Sequence, residues 1–443
     1  MTSLMLFTRD LRVDDNPALY AAAETGHFHC LFVKDDRVRS SPIASERRNN
    51  FLEQCLKDLS HSLTQRGSEL EILTGDWLDE VTSRAADLGA QSIHMAKDYS
   101  TYAKQRSAKL GAWCKQHDVL FVEHPGLTAV PPGDVAPAGG GEYKVFTPYW
   151  RAWLNAPKRQ VMIPPPPLAD AGVAPSIPTA PEGLEIGSTF GGETHAWDRL
   201  HQWLQNGVSR YQEMRDLPAV DGTSLLSPYL HLGCISPLRL VQLSEDLPGA
   251  EPFIRQVVWR DFYTQILDRR PDVSRNDYRP RGDLENYDRP LFDAWTSGTT
   301  GFPLVDAGMR QLKAEGLMHN RVRMVTASFL VKDLHQHWRL GADYFMTQLI
   351  DGDVASNYLN WQWVAGTGTD SNPHRILNPT TQATRFDKDG IYIKRWIPEL
   401  SSLDPKDITN PSANIRSQVG YPSPIVDHHE SVEIFKARRL ATA

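Results

Sequence analysis

Apolar positions in the first 125 residues fall in short runs separated by longer stretches of helical period. Leu4-Met5-Leu6-Phe7 is the first run, and Asn16-Pro17 after it supplies a helix N-cap with proline at the first helical position. Cys30 to Val33, Leu70 to Thr74, Ser92 to Met95 and Val119 to Glu123 are further strand-length runs. Helical patterns lie between them, over Ser45 to Arg66, from Gly75-Asp76 onward, and over Thr101 to Gln116. Such alternation predicts an α/β domain over residues 1–125, a doubly wound parallel sheet of Rossmann-like type. The loop after the first run, Thr8-Arg9-Asp10-Leu11-Arg12-Val13-Asp14-Asp15, holds no Gly-x-Gly-x-x-Gly, which argues against a dinucleotide on the usual turn.

The pattern breaks over residues 126–195. Pro131-Pro132-Gly133, Gly139-Gly140-Gly141 and Pro164 to Pro167 predict a linker, with one aromatic anchoring segment around Tyr143 to Leu154. Residues 196–443 then read as a large all-helical domain. Helical patterns run over Ala196–Gln205, Phe253–Arg269, Pro303–Gly316, Arg321–Trp338 and Asp343–Ile350.

Composition changes this picture little. The 443 residues are 40% hydrophobic and 23% charged, as in ordinary globular proteins, with a net charge of −7 that leaves room only for local basic faces. Cys30, Cys55, Cys114 and Cys234 form no Cys-x-x-Cys pair, so they read as reduced thiols, with no metal site. No apolar run reaches membrane-spanning length and Met1-Thr2-Ser3-Leu4 opens no secretion signal; the expectation is a cytoplasmic monomer without a membrane partner.

Chemistry concentrates in the helical part. In Asp351-Gly352-Asp353-Val354-Ala355-Ser356-Asn357-Tyr358-Leu359-Asn360-Trp361-Gln362-Trp363, two carboxylates flank a glycine ahead of an amide and two indoles. That mixture suits a buried wall around a planar ligand, or a helix cap leading into packed aromatics. Thr223-Ser224-Leu225-Leu226-Ser227 offers hydroxyls and N–H groups at a helix start, fit for a phosphate or an ordinary cap. Gln256, Arg260 and Tyr263 share one helical face, and Asn320, Arg323 and Met324 another. Arg323 is a natural partner for Asp351 or Asp353. Arginines from Arg255 to Arg289 make either a solvated face or a phosphate-binding rim.

Several of these stretches occur together and in order. Trp259-Arg260-Asp261-Phe262-Tyr263, Gly301-Phe302-Pro303-Leu304-Val305-Asp306-Ala307-Gly308-Met309-Arg310-Gln311-Leu312, Met318-His319-Asn320-Arg321-Val322-Arg323-Met324 and Asn378-Pro379-Thr380-Thr381-Gln382 resemble the DNA photolyase/cryptochrome family. The stretch from Asp351 to Trp363 and the N-terminal Phe7 to Arg12 fit it too. Within the family the chain looks most like the class I branch that splits cyclobutane pyrimidine dimers. The resemblance implies an α/β antenna domain, a linker and a helical domain holding FAD. It implies that Tyr211 and Thr223, Ser224, Leu225, Leu226 and Ser227 contact the FAD phosphates and ribityl chain, that Arg323 pairs with Asp351, and that Gly352, Asp353 and Asn357 border the flavin. It implies that Arg215, Gln256, Trp259, Arg260, Tyr263, Asn320, Arg321, Trp363 and Gln382 face UV-damaged DNA, from which the lesion is flipped.

The branch rests on single positions. Asn357 falls where repair enzymes carry Asn, plant cryptochromes Asp and animal ones Cys. Asn320 and Met324 stand where (6-4) photolyases have two histidines, and Trp363 where the DASH branch has Tyr. Gln256 dissents, since cyclobutane-dimer enzymes have Glu there and Gln is the (6-4) habit. The expectation is cyclobutane-dimer repair, with a cryptochrome-type photoreceptor as alternative and a (6-4) enzyme behind it. Trp361 and Trp338 match two members of the family's electron-transfer triad. No Trp occurs around Asp283 to Arg289, where the third would lie, which leaves Tyr287 or another Trp. Ala103, where folate-binding members have Glu, favours an 8-hydroxy-deazaflavin antenna over 5,10-methenyltetrahydrofolate.

Overall fold

The computed structural model describes residues 2–162, 190–282 and 286–441. They form two compact units, Met1–Ser209 with Ser224–Asp272, and Arg210–Thr223 with Val273–Ala443. The expected Pro164–Pro167 break lies outside the described residues, as do positions 283–285 of the triad search.

In the first unit, strands β1 (Thr2–Phe7), β2 (His27–Asp35), β3 (Leu70–Gly75), β4 (Ser92–Ala96) and β5 (Leu120–His124) make a parallel sheet in the order β3-β2-β1-β4-β5. β1 is central, Met5 standing opposite both Cys30 and His94. After Thr2 and Ser3 it is apolar because helices cover both faces of a parallel sheet, and Leu4 to Phe7 are wholly buried. The covering helices include α1 (Pro17–Ala23), α2 (Glu46–Thr64), α3 (Trp77–Asp87) and α4 (Thr101–Gln116). Each begins on a side-chain cap, from Asn16, Ser45, Asp76 and Ser100 in turn. The four cysteines are buried and free.

The charged loop after β1 is a clamp. Buried Arg12 donates to the carbonyls of Asp14, Asp15, Gly126 and Gly233. Asp15 accepts two bonds from Arg159, one from the Met162 amide and one from Ser236. The linker's aromatic segment is a helix, α5 (Phe146–Asn155). After it come α6 (Glu193–Asn206), α7 (Ser227–Leu232) and α8 (Glu251–Arg269). Asp261 of α8, fully buried, ties the linker down by accepting from the Ala129 and Val130 amides and the Trp153 indole.

The second unit is helical. Its main elements are α9 (Arg289–Ser297), α10 (Pro303–Glu315), α11 (Asn320–Ser328), α12 (Trp338–Gln348), α13 (Val354–Ala365), α14 (Pro379–Phe386) and α15 (His428–Ala441). Here the expected helix Arg321–Trp338 is two. α11 widens into a π-helical turn, Phe329–Asp333, and His335 then takes a left-handed φ of 53°. The cause is tertiary. Lys332 and Asp333 are buried and bound to separate partners, the Arg375 carbonyl and His428. His337 caps a new helix by accepting from the Arg339 amide at 3.3 Å, so Trp338 opens α12, which also absorbs the pattern expected over Asp343–Ile350. Among the described residues no helix is long and apolar enough to cross a membrane, and no three His, Cys, Asp or Glu side chains converge as a metal site.

Candidate active site

The carboxylate pair at the head of α13 divides its work. Asp353 is the N-cap, accepting from the Ser356 amide at 2.8 Å. Asp351 instead receives Nη2 of Arg323 at 2.9 and 3.2 Å, while Nε of Arg323 donates to the Met318 carbonyl at 2.7 Å. The capping and ligand-wall readings of this stretch are therefore compatible, because different carboxylates serve them. One turn into α13, Asn357 is buried and its Nδ2 donates to the Ala342 carbonyl at 3.0 Å, which fixes the plane of a neutral amide. Gly352 is buried, and nothing in the structure explains why a glycine stands there.

α11 presents its polar face as its period requires. Asn320 is exposed, with Nδ2 at 3.8 Å from the sulfur of Met324 one turn on. Arg321 pairs with Asp216 at 2.8 Å, its guanidinium 4.4 Å from the centre of the Phe386 ring. His319, which the motif contained but spacing gave no reason to single out, is neutral at pH 7 because burial drives its pKa down to about 4. Its Nδ1 accepts the Arg321 amide at 3.2 Å, so the proton sits on Nε2, which is buried with no partner among the described residues. The Oε1 of Gln382 on α14 is likewise buried and unpartnered. Trp363 is half-buried under Arg375, 5.2 Å from its ring centre. Tyr211, beside Arg215, has its phenol pushed up to about 12 by burial.

The indoles form separate contacts. Trp338 is buried and donates to Asp277 at 2.7 Å, with Tyr358 as an edge-on neighbour at 6.3 Å. Trp361 meets Phe345 at 5.0 Å and Trp295 at 6.1 Å, both edge-on. From Trp295 rings continue through Phe292 at 5.8 Å to Tyr287, which is 54% exposed. Helix-to-helix contact decides the link of Trp295 to Trp361, which sequence spacing does not show.

Of the remaining expected site residues, Thr223 belongs to the second unit and the others to the first. Leu225, in Ser224–Ser227, is exposed with a left-handed φ of 53°, an unusual state for a branched residue, and Arg199 holds the Ser224 carbonyl at 2.8 Å. On α8, Gln256 is exposed and Trp259 half-buried. Arg260 and Tyr263 differ from expectation. The Arg260 guanidinium is spent on the Leu127 and Leu230 carbonyls and Tyr263 is buried, because tertiary neighbours close over that part of the helical face. Beyond β2 and β3, at their C-terminal ends, is a cavity of about 230 Å³ whose lining includes the cations Arg37, Arg106 and Lys109, the carboxylates Asp76 and Asp79, and the Trp77 and Tyr102 rings. The Arg106 guanidinium lies 4.1 Å over the Trp77 ring, and its Nε is buried without a hydrogen-bond partner among the described residues.

Residues 3–169 match the family model described as DNA photolyase, and residues 253–440 match that described as the FAD binding domain of DNA photolyase. The chain belongs to the DNA photolyase family. It is 41% identical to the deoxyribodipyrimidine photo-lyase of Streptomyces griseus, over 99% of both chains. Among solved structures it is similar to a bacterial class III photolyase from Agrobacterium tumefaciens, at TM-score 0.90 and 33% identity over 100% of this chain and 97% of that one. A Synechocystis sp. PCC6803 cryptochrome is similar at TM-score 0.89 and 28% identity, over 98% of each. FAD is thus the cofactor and DNA the family's substrate. The second unit suits such a ligand chemically: it offers a paired cation, a neutral buried amide and polar atoms on His319 and Gln382 that still lack partners.

Proposed function

We propose that this photolyase-family protein is a deoxyribodipyrimidine photo-lyase, which uses blue light and FAD to split cyclobutane pyrimidine dimers in DNA. The observation that carries the reading is the buried, neutral amide of Asn357, held by the Ala342 carbonyl where a carboxylate or thiol would mark a photoreceptor. Bound FAD supplies the electron. Arg323, oriented by Asp351, with Asp353 and Asn357, would line the flavin, and Tyr211 with Thr223 to Ser227 its phosphates and ribityl chain. Asn320, Met324, Trp363, Gln382, Gln256 and Trp259 would receive the flipped lesion, while Arg215 and Arg321 would face the backbone. Arg260 and Tyr263 leave that set, because packing claims both. Asn320 and Met324 bring no imidazole to donate a proton, which favours the cyclobutane lesion over the (6-4) one. Trp361 and Trp338 would carry electrons to the flavin, with Trp295 and Tyr287 as a further route to the surface.

The cavity beyond β2 and β3 is our candidate antenna site. It lies outside the C-terminal ends of β2 and β3, and its stacked Arg106 and Trp77, with Arg37 and Lys109 set against Asp76 and Asp79, support a planar chromophore such as 8-hydroxy-deazaflavin. We also propose a monomer in the cytoplasm. The test is repair of oligonucleotides carrying one cyclobutane dimer or one (6-4) product under blue light, with reduced flavin. Dimer repair alone is the expected result. Failure on both lesions would move the protein to light sensing.

A further inference from the structure

Phe146 and Trp259 lie almost face to face, with ring centres 3.9 Å apart and planes 6° from parallel. Near-parallel rings at this separation are stacked, and the elements that carry them are themselves pinned together. α5 and the segment just before it are joined to α8 at three further points. Trp153 donates to Asp261 at 3.1 Å, Gln265 donates to the Tyr143 carbonyl at 2.9 Å, and Tyr149 packs on Phe262 at 5.3 Å. Phe146 is buried, with the Arg255 guanidinium 5.5 Å from its centre. Trp259 also rests an edge on Phe262, at 5.4 Å and 84°, yet the indole as a whole stays half-buried. Tyr263 packs on the indole as well, at 5.3 Å and 46°, and Gln256, one turn earlier on the same helix, is exposed.

We infer that Phe146, on the helix of the linker, is a positioning residue for lesion binding, backing the Trp259 indole so that its exposed part is held ready for a base of the flipped pyrimidine dimer. The inference rests on the reading above that Trp259 receives the lesion. An indole on a helix surface without backing samples several rotamers and must be immobilised when a base stacks on it. Backed by a buried ring whose helix is pinned through Asp261, it is already in place. The base then extends the stack, a contact any pyrimidine can make because it uses the π-face and not the pairing edge. Part of a segment whose sequence reads as a connector thereby joins the substrate-binding machinery. Phe146 touches DNA only through Trp259.

The experiment uses flavin-loaded protein and measures affinity for an oligonucleotide with one thymine dimer and for its undamaged twin. Phe146→Leu, which keeps bulk and loses the flat face, is expected to bind the dimer about threefold to tenfold more weakly. The loss should fall on affinity and not on the repair rate at saturating DNA, leave undamaged DNA bound as before, and be restored in Phe146→Tyr. Equal binding by wild type and Phe146→Leu, or a loss shared by both oligonucleotides, or no recovery in Phe146→Tyr, overturns the inference. Trp259→Ala separates the two levels: if it binds the dimer as tightly as wild type, the lesion-facing reading of Trp259 fails first.

Discussion

Gly341 shows how one residue can govern the Trp361 indole. A Cβ there would stand 2.2 Å from Cη2 of Trp361 and 2.5 Å from Leu330, both inside van der Waals contact. Neither neighbour can retreat, since Trp361 is wedged against Phe345 and Trp295. Gly341→Ala is expected to cost about 1–3 kcal/mol of stability through overpacking, read as a lower midpoint of thermal unfolding. Adding Trp361→Phe should recover part of the loss, because the clashing atoms belong to the indole's six-membered ring. Equal midpoints for wild type and Gly341→Ala would mean that the helices separate to make room. Spacing alone says nothing of this. Gly341 reads in the sequence as a weak point of a helix, and only the partner ring explains it.

At the scale of elements, burial of charge on α8 and α11 decides what each helix can do. Asp261 is pushed up to about 6 by burial, against the pull of the Val130 amide, Arg260, Trp153 and the Ala129 amide. Its folded value lies above the ordinary 3.8, so the folded chain holds this proton more tightly than the unfolded one. The stability it contributes is complete below about pH 4 and is lost as pH rises through about 6. Asp261→Asn offers one carbonyl oxygen to three donors and should destabilise by about 2–4 kcal/mol. The wild-type advantage should shrink between pH 4 and 6, as denaturant unfolding at several pH values would read. A difference constant with pH would show that this carboxylate does not titrate there. The break at Phe329–Asp333 has the same origin. Apolar period ran on to Trp338, but Lys332 and Asp333 are drawn to different partners and no α-helix continues through both.

For the molecule as a whole, the net charge of −7 repels DNA, and attraction must come from local arginines. Many are already engaged: Arg260 with carbonyls, Arg321 with Asp216, Arg323 with Asp351 and Arg270 with Asp272. Each of these would meet a phosphate only in competition with its present partner. The affinity for undamaged DNA should therefore fall with salt by a shallow slope, about three to five phosphate contacts' worth, while the extra affinity for a dimer changes little. Titrations from low to moderate salt with both oligonucleotides check this. A lesion increment that itself collapses with salt would place its origin in charge and not in stacking.

The sequence by itself determined the parallel α/β sheet, the helical remainder, the caps and the family. These rest on period, turn chemistry and motifs, which are local. It left Arg323 a choice of Asp351 or Asp353, the family resemblance implied Asp351, and that pair is the one formed. Only the tertiary structure decided which charges were free to act. Arg260 and Tyr263 share a helical face with Gln256, yet neighbouring carbonyls and packing claim them, and a one-dimensional pattern holds no record of what covers a face. For the same reason the linker helix, the Phe146–Trp259 stack and the contact of Trp295 with Trp361 emerged only in three dimensions. Ring-to-ring contact between distant segments is set by how helices pack.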